Sequence, residues 1–172
     1  MSGVRRDFPE PSGDTGDPRA LFARYLGWYR ATVVRKVRSL PQEEVRRTRL
    51  PSGWTPLEML AHLAHMERRW LVWGFLGERL DDPFGDERDG RWHVPDEVSV
   101  DDMVAMLERV GRRTGEVLSG HRLDEVAPPG PRFPRGDPAT LGWICFHVLQ
   151  EYARHTGHLD VAVELAGGEL GE

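Results

Sequence analysis

Histidine and glutamate recur at helical spacing in two segments far apart in this chain. His62 and His65 lie three apart within AHLAHMERRW, and His155 and His158 lie three apart within EYARHTGHLD, so two short segments hold four of the seven histidines. His147 precedes His155 by eight residues, with Glu151 midway between them. Residues three or four apart share one face of a helix, which makes His147, Glu151 and His155 a polar row, with His158 slightly further round the cylinder. The row abuts an apolar stripe. A carboxylate turned into a helical core costs several kcal/mol unless it is paired, hydrogen-bonded or bound to a cation. A divalent metal would resolve that conflict. Glu151 and His155 can direct one oxygen and one nitrogen at a common point, and a third ligand from the His62 segment would complete a two-histidine, one-carboxylate face. Such a face keeps positions open for water or substrate, unlike structural zinc, which closes all four. The bland reading of the same spacing is a surface ion pair, with His65 and His158 as hydrogen-bonded flanks, His147 as a satisfied core histidine, and His93 and His121 solvated in loops.

Other chemistry is thinly represented. The chain has no H-E-x-x-H, no phosphate-binding Walker loop, no G-x-S-x-G elbow and no C-x-x-C. The one cysteine, Cys145, sits beside the apolar face of its helix and reads as a small core filler. Glu67, Arg68 and Arg69 read most simply as the solvated face of the second helix, with Glu67 also able to pair across a bundle.

Four helices must position these residues. Asp17 and Pro18 open the first, in which Leu21, Tyr25, Trp28, Thr32 and Val33 recur at spacings of three and four until Leu40-Pro41. Thr55-Pro56-Leu57-Glu58 has the form of a capping box and opens the second, with Leu60, Leu63, Trp70 and Phe75 on or near its apolar stripe and Gly77 as the stop. Ser99 with Asp101 and Asp102 opens the third, which runs through Met103, Met106, Leu107, Val110 and Val117 to Gly120. The fourth begins near Asp137-Pro138 or Thr140 and runs through Trp143, Phe146, Val148, Leu149, Tyr152, Leu159 and Val163 to Gly167-Gly168. No stretch alternates with period two long enough to make a sheet. The expected fold is all-α, a four-helix bundle at residues 17–172, preceded by a flexible arm at 1–16. Residues 78–98 are acidic and broken by Gly and Pro, and read as a long solvated crossover in which Trp92 and His93 are the candidate functional contacts.

Composition narrows the partners. In 172 residues, 39% are hydrophobic and 30% charged, which supports a globular core. The 28 acidic and 23 basic residues give a formal charge of −5, which opposes attraction to nucleic acid or an anionic membrane. A lone cysteine excludes an internal disulfide, and no apolar run reaches signal-peptide or membrane-spanning length, so a cytoplasmic location is expected. All basic residues but Lys36 are arginine.

The block Trp54-Thr55-Pro56-Leu57-Glu58-Met59-Leu60-Ala61-His62-Leu63-Ala64-His65-Met66-Glu67-Arg68-Arg69-Trp70, followed by Leu141-Gly142-Trp143-Ile144 and by Glu151-Tyr152-Ala153-Arg154-His155-Thr156-Gly157-His158-Leu159-Asp160, resembles the DinB-like superfamily. More narrowly it resembles an actinobacterial branch related to mycothiol-dependent maleylpyruvate isomerase and to thiol transferases. The resemblance extends from about residue 9 to the C-terminus, and it implies a four-helix bundle with one long crossover. It also implies a metal site at His62, Glu151 and His155, zinc or nickel as the ion, and a low-molecular-weight thiol such as mycothiol as cofactor. A glutamate at position 151, where many relatives have histidine, resembles the isomerase side. The expected activity is that of a transferase or isomerase joining such a thiol to a small-molecule electrophile, and a homodimer through bundle faces is a further expectation. Metal-assisted hydrolysis and a non-catalytic, stress-associated binding bundle are the alternatives. Histidine ligands normally pass their second ring N–H to an acceptor, and Glu67, Glu58 and Asp160 are the candidates for that role.

Overall fold

The computed structural model describes residues 10–133 and 137–168; most of the expected N-terminal arm lies outside the described residues, and residues 10–16 run without regular structure. The helices are α1 (Pro18–Arg38), α2 (Pro56–Arg68), α3 (Val100–Gly120) and α4 (Leu141–Leu165). Each starts where a side chain meets the orphan N–H groups of a first turn. Asp17 accepts from Arg19 N at 3.0 Å. Thr55 and Glu58 complete a reciprocal capping box, as do Ser99 and Asp102. Thr140 accepts from Trp143 N at 3.3 Å, which settles the start of α4 at Leu141.

α1 and α2 each pack against both α3 and α4, giving an all-helical bundle. The core includes Leu26, Val33, Leu60, Leu63, Leu107, Ile144, Val148 and Tyr152. The buried face of α1 is Phe22, Leu26, Thr32, Val33, Lys36 and Val37, so the stripe is turned from the expected Leu21, Tyr25 and Trp28, which are only half-buried. Trp143 and Phe146 also depart from expectation: they are 53% and 67% exposed on the outer side of α4.

α2 does not run uniformly to Gly77. From Arg69 to Phe75 the backbone takes π-helical form, which inserts an extra residue into the turn and re-phases the side chains beyond it. Glu67 and Arg69, expected on a solvated face, are buried. Glu67 accepts two hydrogen bonds from Arg30 at 3.1 and 3.0 Å, one from Tyr152 Oη at 2.6 Å and one from the Thr114 hydroxyl, so one carboxylate ties all four helices. Lys36 on α1, 2% exposed, pairs with Asp160 on α4 at 2.5 Å.

The 76–99 connection is not simply a solvated crossover. It contains a two-stranded antiparallel hairpin, β1 (Glu87–Arg88) and β2 (Arg91–Trp92), short enough to carry no period-two signal. Asp89 and Gly90 turn it with positive φ values of 54° and 72°. The hairpin folds against α2 and brings Asp86 and Trp92 to its buried histidine.

Candidate metal centre

His62 is one helical position on a segment of α2 that is buried nearly all round, from Leu57 through Glu67. Glu151 and His155 are one turn apart on α4, which packs alongside. The structure brings the three together: each offers a donor atom within 4.8 Å of the others. His155 Nε2 lies 3.2 Å from Glu151 Oε2, and His62 Nε2 lies 3.9 Å from the same oxygen. His62 is 5% exposed, and its Nε2 is buried with no hydrogen-bond partner among the described residues. A buried imidazole nitrogen without a partner is costly unless something accepts its lone pair.

The other ring nitrogen shows why Nε2 is the free one. His62 Nδ1 donates to Asp86 Oδ2 at 3.0 Å. Asp86 is itself held by Arg69, whose Nη1 and Nη2 reach its two oxygens at 2.5 and 3.1 Å. Burial opposes ionisation of Asp86, yet the hydrogen bonds from His62 and Arg69 outweigh it, and its carboxyl is held below the usual range. A fixed anion behind Nδ1 selects the tautomer that turns a lone pair inward, the arrangement found behind metal-ligating histidines. Asp86 replaces the acceptors expected from the sequence: Glu58 closes a helix cap, Glu67 binds Arg30, and Asp160 binds Lys36. Its role is hidden in the sequence because it lies in an acidic loop, where one aspartate looks like the next.

Aromatic rings wall the cluster. Trp54 stacks on His155 at a centroid distance of 5.1 Å and 17°, and Trp92 lies 3.9 Å from the His62 ring. On the other side His147 Nε2 lies 4.0 Å from Glu151 Oε1, stacked on Trp143 and 4.2 Å from Trp70. Burial pushes His155 down to about 4, with the neighbouring His62 adding to the effect and Glu151 opposing it. At neutral pH His155 is therefore uncharged and has a lone pair to offer. Burial also lowers His147, Glu151 pulling the other way.

The remaining histidines do not join the three. His65 is buried, its Nδ1 has no partner among the described residues, and burial pushes it down to about 4. His158 lies 3.5 Å from Ser52 Oγ and against Trp54, His121 pairs with Glu125 at 2.9 Å, and His93 is half-buried rather than solvated. Cys145 is fully buried, and burial followed by the Glu67 charge pushes its thiol up to about 12, which suits a core filler rather than a nucleophile.

The helical bundle, in which two imidazoles and a carboxylate converge from two packed helices, is of the DinB-like class. Within it, the chain belongs to the mycothiol S-transferase family: the family model described as Mycothiol-S-transferase matches residues 21–168. A search of curated proteins returns no match. Among the described residues no helix is long and apolar enough to cross a membrane.

Proposed function

We propose that this protein is a metal-dependent transferase that joins a low-molecular-weight thiol of the mycothiol type to an electrophile, with His62, Glu151 and His155 holding a divalent ion, zinc or nickel. The observation that carries this reading is the buried, partnerless Nε2 of His62 facing Glu151 and His155. The donor set fits: two neutral imidazoles and one carboxylate are borderline ligands suited to either ion and leave positions open. Family membership supplies the thiol.

When bound, the cation supplies Lewis-acid charge that favours the thiolate form of the thiol at neutral pH. The chain's own residues prepare for this. Asp86 holds the proton on His62 Nδ1 and so keeps Nε2 aimed inward. Trp54 and Trp92 cover the imidazole faces and exclude water from them. No side chain is needed as nucleophile, in keeping with the inert Cys145. The sulfur–carbon bond forms as the electrophile's leaving group departs with its electron pair.

The test is metal analysis of protein purified without chelator, followed by conjugation assays with mycothiol. Stoichiometric metal and thiol conjugation, both lost in His155→Ala, are expected. Full metal content in the His62→Ala, His155→Ala double variant would overturn the assignment.

A further inference from the structure

Beyond the three convergent donors lies an arginine whose charge no described carboxylate compensates. Arg132, in the connection between α3 and α4, places its guanidinium carbon 3.9 Å from the centre of the Trp70 ring. Its Nε is buried without a hydrogen-bond partner among the described residues. Its cationic neighbour Arg69 is consumed by Asp86. Burial and the Arg69 charge both work against Arg132's own charge. An anion arriving there would relieve that strain and gain a planar fork of donors.

The position is built by the π-helical turn. The arginine stem packs beside Gly74: a Cβ there would meet Arg132 Cγ at 3.5 Å and Phe133 Cε2 at 3.7 Å as ordinary contacts, and crowd the Arg69 carbonyl of the same turn at 3.2 Å. Trp70, in the same turn, lies 5.6 Å from Trp143 and 4.2 Å from His147, whose Nε2 stands 4.0 Å from Glu151. A continuous wall thus runs from the three convergent donors through His147 and two indoles to a half-buried cation. Trp143 is 53% exposed, so the wall is open to a ligand.

We propose that Arg132, held on Trp70, forms with Trp143 a subsite for an aromatic carboxylate, the ring lying on the exposed Trp143 indole and the carboxylate on the guanidinium, so that the electrophile of the proposed transferase is an aryl acid. The occupant's role as electrophile rests on the transferase reading; the subsite itself does not. With a halogenated nitrobenzoate the step is an aromatic substitution. The thiolate sulfur bonds to the ring carbon, halide leaves with the electron pair, and the thiol proton has already gone to solvent.

Quenching of tryptophan fluorescence by benzoate and by benzamide, in the protein as purified, tests the subsite directly. Benzoate is expected to bind about tenfold tighter than benzamide, and Arg132→Gln to abolish that difference while Arg132→Lys keeps part of it. Equal binding of the two compounds, or benzoate binding unchanged in Arg132→Gln, overturns the subsite. Rates with mycothiol and a chloronitrobenzoate, against its neutral amide, separate the two readings. The expected result is a KM raised by Arg132→Gln for the acid alone. Turnover of both compounds with no effect of the substitution on KM overturns the subsite and leaves the transferase standing. Arg132-dependent benzoate binding with no turnover of either compound overturns the transferase and leaves the subsite.

Discussion

Asp86 decides which way His62 faces, and through Arg69 it is fixed at both oxygens. Replacing it by asparagine keeps the shape and removes the charge that favours one imidazole tautomer. Asp86→Asn is expected to weaken zinc binding about 10–100-fold in a chelator-competition titration, and unchanged affinity would separate Asp86 from the site. At this scale the sequence is legible where spacing is regular. Glu151 and His155, one turn apart, stand out as a pair from their spacing alone, and the family resemblance adds His62. Asp86 and Trp54 are not legible as site residues, because a loop and a cap region impose no periodicity. Arg69 misleads for a related reason: charge in a helix usually marks a wet face, and here it is buried against Asp86, while Glu67 takes the alternative reading and pairs across the bundle.

Helix starts are written plainly in the residues, since a cap is a local device of a few side chains: the Thr55 box and the Ser99 cap form as expected, and Asp102 makes the latter a box as well. The π-helical turn at Arg69–Phe75 is not, because whether a helix takes an extra residue in one turn depends on what it packs against. That turn separates two functions of one helix: His62 before it belongs to the donor cluster, Trp70 and Gly74 within it to the wall beyond. The Glu67 carboxylate, meeting Arg30, Thr114 and Tyr152, is the polar joint between the helices. Glu67→Leu leaves the half-buried Arg30 charge unpaired and is expected to destabilise the fold by about 3–5 kcal/mol in urea denaturation. Adding Arg30→Met should restore part of the loss, since the stranded cation is removed as well. A double variant no more stable than the single would show that the hydroxyls, not the ion pair, carry the joint.

For the molecule as a whole, burial of imidazoles sets the response to acid. His65 titrates near 6.5 when unfolded and at about 4 when folded, so between these values the unfolded chain binds more protons. Its contribution is fully present above pH 6.5 and is lost as pH falls to about 4, a loss of about 3 kcal/mol. Urea midpoints measured across that window should fall with acidity, and less steeply in His65→Gln; parallel curves would exclude His65 as a source. The all-helical architecture is readable from four periodic segments, whereas the fold of the 76–99 connection is not, since two-residue strands give no pattern and Asp86 gains its role only by contact. Lys36 adds a last property of the whole. It is the chain's one lysine, and its ammonium is sealed between α1 and α4 against Asp160. Acylating labels and amine-coupled supports therefore find no lysine side chain on the folded surface, and their reaction at that residue becomes a chemical reporter of the bundle coming apart.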